Sequence, residues 1–192
     1  MKILIFLSML VSLVCFSDNH KHDHHDHHDD HNHQHSDEHK SKKQKSLKSH
    51  QHGVGILNIA QEENLLVFEF ELPGFDVVGF EYKAKKKDDI KKVKQALSIL
   101  SDHDNMIEID NDANCKKISS KANLLEEGNH TEFRSKYVLN CSNINKASRL
   151  AIKYFQNFKN SKKLDVKIIT EKKSGALELL SNNNVIKVKD YF

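Results

Sequence analysis

The chain has 192 residues, with 30 Lys and Arg against 27 Asp and Glu, a formal net charge of +3, and 14 histidines. That length holds one domain of ordinary size, and so small a net charge gives no argument for a nucleic-acid or membrane-surface partner. What stands out is where the histidines lie.

Residues 1–17, MKILIFLSMLVSLVCFS, carry a charge at Lys2, an apolar stretch from Ile3 to Phe16 and a polar sequence directly after. This reads as a secretory signal peptide. The stretch falls short of the roughly 20 residues of a spanning helix. Cleavage after Ser17 fits the small residues Cys15 and Ser17, and lipidation at Cys15 ranks second because Val14 is bulky for lipoprotein processing. From Asp18 to Ser46 there is no aliphatic or aromatic residue, so nothing offsets the entropy of ordering the segment, and a disordered tail is expected over 18–49. Within it, residues 18–39 hold ten histidines and one lysine against seven acids, a net of −6 with imidazole neutral. Residues 40–52 then add five lysines and no acid.

Residues 50–192 read as a globular domain. HGVGILNIA and NLLVFEFEL alternate, with Leu66, Phe68, Phe70 and Leu72 on one face and Glu69 and Glu71 on the other, which predicts a hairpin stopped by Pro73-Gly74. From Asp88 to Leu100 the spacing of Ile90, Val93, Ala96, Leu97 and Leu100 predicts an amphipathic helix. Ile144, Ala147, Leu150, Ala151, Tyr154, Phe155 and Phe158 predict a second. Between them Met106–Ile109, Cys115–Leu125 and His130–Cys141 read as strands, and LDVKII, ALELL and VIKVK follow the second helix as three more. The expected fold class is α+β: a mostly antiparallel sheet with two amphipathic helices packed on it, preceded by the His-rich tail.

Loss of Cys15 with the leader leaves Cys115 and Cys141, and an even count in an exported chain favours a disulfide. The two lie symmetrically about Gly128, so a hairpin turning at Glu127-Gly128-Asn129 sets them opposite each other on antiparallel strands.

Neutral imidazole binds zinc, copper, nickel and iron, and its ordinary pKa of about 6.5 leaves it mostly neutral at pH 7. His20, His22, His24, His25, His27, His28, His31, His33, His35 and His39 are therefore read as metal ligands, interleaved with aspartates that offer oxygen donors or orient the rings. With no scaffold to fix geometry, such sites exchange readily and select weakly among metals. Zn2+ suits tetrahedral His and carboxylate ligation, and other divalent transition metals bind the same donors. In the globular part, His50 and His52 lie two apart at the start of one strand, and His130 and Glu132 two apart at the start of another. Period two puts each pair on one face, but sequence does not make the pairs neighbours.

Other signals are weaker. Asp110, Asp112 and Asn114 imitate the start of a calcium loop, yet Cys115 stands where the turn glycine belongs and Lys121 where the closing glutamate belongs. KAKKKDDIKK interleaves acids and lacks aromatics, as a solvated loop and helix start does. His103 with Asp102 and Asp104 forms a surface ligand cluster at most, and a polar loop ending a helix is the plainer reading. There is no phosphate loop, nucleophile elbow or helical HExxH.

HQHGVGILNI, VGFEY, Cys115, HTEFRSKYVLNC, YFQNF and LDVKIIT, in that order, resemble ZrgA-type periplasmic zinc-uptake proteins across most of residues 50–180. The resemblance implies a periplasmic, non-catalytic zinc-binding protein that assists a zinc ABC importer by feeding its solute-binding component. It also implies that His50, His52, His130 and Glu132 occupy positions near the family's metal region. Two features depart from the pattern: Tyr82 stands where GFE is usually followed by His, and the histidine tract lies at the N-terminus instead of in the hairpin loop, here only LLEEGN. The competing readings are a periplasmic buffer of excess zinc, copper or nickel, a metalloenzyme with an open structured site, and a cytosolic nickel chaperone.

Overall fold

A computed structural model describes residues 51–192. The expected signal peptide, the histidine-rich segment, the lysine-rich linker and His50 lie outside the described residues. Nine strands, three short or medium helices and three 3-10 turns make up this part: β1 Val54–Glu62, β2 Leu65–Pro73, α1 Gly74–Val78, α2 Lys87–Leu100, β3 Ile107–Ile109, β4 Cys115–Glu127, β5 His130–Cys141, β6 Arg149–Ile152, α3 Tyr154–Asn157, β7 Lys163–Ile169, β8 Ser174–Leu180 and β9 Val185–Lys187. Six strands form one sheet in the order β4-β5-β2-β1-β7-β8, and β3-β6-β9 form a second. Every pairing is antiparallel except β1 with β7.

Alternation decides which side of the large sheet is dry. Leu66, Phe68, Phe70 and Leu72 are essentially inaccessible, as are Phe133, Tyr137 and Leu139 on β5 and Leu57 and Ile59 on β1. Burying each such side chain contributes about 1.5–3 kcal/mol before entropy is counted. Glu69, Glu71, Arg134, Lys136, Lys163 and Glu178 alternate onto the wet face and pair across strands. Exposed pairs of that kind add little to stability.

The first expected helix is present as α2, which buries Ala96 and Leu100 but leaves Ile90 38% exposed. The second is absent. Ile144–Phe158 breaks into a 3-10 turn at Ile144–Lys146, strand β6 and the single turn α3. Leu150 fits the helical spacing with Ala147 and Tyr154 but equally a period of two with Ile152, and Leu150 and Ile152 are buried between β3 and β9. The Asp110 carboxylate accepts the Ser148 and Arg149 backbone N–H groups and the Ser148 hydroxyl, at 2.8, 3.1 and 2.5 Å. A side-chain acceptor holding two successive amides fixes that stretch outside a helical ladder. These bonds draw the Asp110 carboxyl down to about 2, and they give the residue a structural role in place of the calcium ligation its spacing imitates.

Cys115 and Cys141 are joined in a disulfide, although the turn that aligns them differs from the one expected. Glu127 faces His130 across Gly128 and Asn129 alone. Gly128, at φ +59, takes the first central position of a two-residue hairpin turn, where II′ geometry favours glycine. Continued unbroken, that register would set Cys115 against Ser142. A bulge at Ile118, between Lys117 and Ser119, shifts the pairing by one and returns Cys115 to Cys141.

Candidate metal centre

His52 stands in a turn ahead of β1, not on the strand. The Val54 N–H donates to the Gln51 carbonyl at 3.0 Å, and Gly53 takes φ +86, a conformation that side chains resist. The turn is held from two sides: Gly53 N–H donates to Asp76 Oδ1 at 2.6 Å, and the Gly53 carbonyl accepts from the Lys162 and Lys163 amides. The His52 ring stacks on Phe75 with centroids 4.9 Å apart. Strand alternation therefore does not govern His52, which corrects the expected placement of His52 on the strand.

The segment PGFDVVGFE builds the other side. Pro73 closes β2, and Gly74 opens α1 where a Cβ would come within 2.1 Å of Thr131 Oγ1 and 2.9 Å of the Phe80 carbonyl. Only glycine lets α1 lie this close to the start of β5. One helical turn later Gly79, left-handed at φ +85, donates its N–H to the Phe75 carbonyl at 3.0 Å and ends the helix. The chain thus turns back, and Glu81 meets both His52 and His130. Tyr82 fixes the exit: it stacks on Phe80 and its hydroxyl donates to Asp89 at 3.1 Å.

Glu81 is the centre of the arrangement. Its Oε1 lies 3.1 Å from His52 Nε2 and its Oε2 lies 2.8 Å from His130 Nδ1. The carboxylate is only 13% exposed, whereas the two rings are 57% and 71% exposed. Burial opposes its charge, but the hydrogen bonds from His130 and His52 outweigh that and hold the carboxyl below the ordinary glutamate value. Beneath it Asp76, wholly buried, is pushed up by desolvation, which the bonds from Gly53 N–H and Tyr154 Oη–H only partly counter.

His130 opens β5, and Glu132 follows on the same face. Glu132 is buried and its Oε1 accepts from Arg134 Nε. One histidine from each ligand pair read from the sequence, His52 and His130, is thus drawn to one end of the sheet, and the residue that joins them, Glu81, escaped that reading. It lay inside VGFEY, where the one acid in an otherwise apolar and aromatic run was the available signal. His52, Glu81 and His130 form an open set, with a ring on either side of the carboxylate. Among the described residues, the set of three donors whose ligand atoms all lie within 4.8 Å of one another is Asp102, His103 and Asp104.

Imidazole and carboxylate donors, gathered from three chain segments at one end of an α+β domain, are the equipment of a protein that handles transition-metal ions. The family comparison agrees. The model for "ZrgA family zinc uptake protein" matches residues 49–188, and the chain belongs to that family. No curated protein matches it. Among the described residues no helix is long and apolar enough to cross a membrane, and the disulfide is consistent with an exported protein.

Proposed function

We propose that this protein is an exported, periplasmic zinc-binding accessory protein without catalysis, which captures Zn2+ and passes it to the solute-binding component of a zinc ABC importer. The histidine arm, His20–His39 in sequence, collects the ion. His52, Glu81 and His130 hold it, with His50 and Glu132 as further donors. The observation that carries this reading is the Glu81 carboxylate standing within hydrogen-bond reach of two imidazoles. In the metal-free state ring N–H groups donate to it. Zn2+ takes the place of those protons, and the exposed rings swing in around a carboxylate already fixed. The two rings contact opposite oxygens of the carboxylate, at 3.1 and 2.8 Å, so one ion is enclosed only once both rings have turned toward it. Membership of a zinc uptake family supports the direction of transport.

The test is growth of cells lacking the gene in zinc-depleted medium. Restoration by the wild-type gene and failure of an H52A/H130A version support the reading. Normal growth of the deleted strain under depletion, with sensitivity to excess zinc instead, would replace it with a buffering role.

A further inference from the structure

The end of α2 carries a second cluster, separate from the centre described above. Three consecutive residues converge only where the backbone bends, and here Asp102 is extended while His103–Asn105 form a 3-10 turn. His103 Nδ1 lies 3.5 Å from Asp102 Oδ1, and its Nε2 lies 3.3 Å from Asp104 Oδ1. The ring is not a loose surface imidazole. It is 16% exposed, it packs against Tyr137 with centroids 6.4 Å apart, and its Nδ1 is shielded from water without a hydrogen bond. A shielded nitrogen with the Asp102 carboxylate 3.5 Å away in place of a hydrogen bond is poorly satisfied, and it is a ready donor to a cation. Beside it opens a cavity of about 370 Å3 lined by His103, Asp104, Glu108, Asp110, Asn111 and Asn114, among others. The C-terminal carbonyls of α2 add negative potential.

From these observations we infer that Asp102, His103 and Asp104 form a second site for a divalent transition cation, with His103 as its nitrogen donor and the cavity as its solvent-filled entrance. The carboxylates flank opposite ring nitrogens, so a metal on one nitrogen leaves the other N–H directed at a carboxylate, an arrangement that orients and strengthens an imidazole ligand. Two lysines face the cluster. Lys117 lies 3.8 Å from Asp102 and is displaced by the ion, whereas Lys153 is engaged by Glu108 at 3.3 Å and by the Asp104 carbonyl at 3.2 Å.

The experiment is imidazole 15N–1H NMR of the mature full-length chain titrated with ZnCl2, with the His103 signals identified by their loss in H103Q. His103 should shift on zinc addition. D104N, whose side chain is 76% exposed and whose fold is checked by its backbone spectrum, should raise the midpoint at least about tenfold. H52A/H130A should leave the His103 midpoint unchanged, which keeps the two sites distinguishable. His103 signals that hold their metal-free positions when the arm is saturated, or a midpoint that D104N does not move, would overturn the assignment.

Discussion

A carboxylate set between two imidazoles has different work to do with and without a cation. Without one, Glu81 accepts from both rings and keeps them in place; with one, it supplies negative charge where the ion sits. E81Q keeps the shape and removes that charge, so zinc affinity at this centre should fall about 10- to 100-fold by calorimetry, the range seen when an orienting carboxylate is lost. The same residue makes an acid-stability prediction. Because its carboxyl lies below the ordinary value of 4.5 in the folded chain, its stabilisation is present above that value and is lost as pH falls through the lower, folded one. The melting temperature of the wild type should therefore drop more steeply below about pH 4.5 than that of E81Q, which has no group to protonate. Parallel curves would show that the His-Glu-His contacts contribute nothing to folding.

Elements, not single residues, decide how far these donors are brought together. Gly74 is the closest fit: G74A puts a methyl into Thr131 and the Phe80 carbonyl, and overpacking of this kind costs about 1–3 kcal/mol. Denaturant unfolding should show that loss, with weaker zinc binding because α1 and Glu81 are levered away from β5. The disulfide ties the far end of the same hairpin, and C115S/C141S should lose about 3–4 kcal/mol by the loop-entropy model. Sequence made much of this legible for physical reasons. β2 and β5 were readable because one face is dry and the other charged, so period two is unambiguous. The pairing of Cys115 with Cys141 was readable only because two departures cancel, a two-residue turn and a one-residue bulge at Ile118. Ile144–Phe158 was not readable, since its apolar residues fit both periods and a distant acid, Asp110, settles the matter. Glu81 was hidden because its meaning depends on where Gly74 and Gly79 turn the chain.

At the scale of the molecule, the six-stranded sheet is the rigid frame that sets the turn before β1, the loop after α1 and the start of β5 at one end. In sequence the histidine arm runs through a lysine-rich linker into His52, so the residues proposed to collect zinc and those proposed to hold it are consecutive on one chain. Deleting residues 18–49 should lower the number of zinc ions bound per chain while leaving the folded centre's affinity unchanged, read by equilibrium dialysis. The most direct measurement is zinc calorimetry on that arm-deleted chain, compared with the same chain carrying H52A and H130A, at pH 7.5 and again below the range in which imidazole titrates. We predict a zinc site present at pH 7.5, lost in the double variant and weakened in acid, where protons compete for the nitrogens. Binding equal in both chains, or none in either, would contradict a centre built on His52, Glu81 and His130.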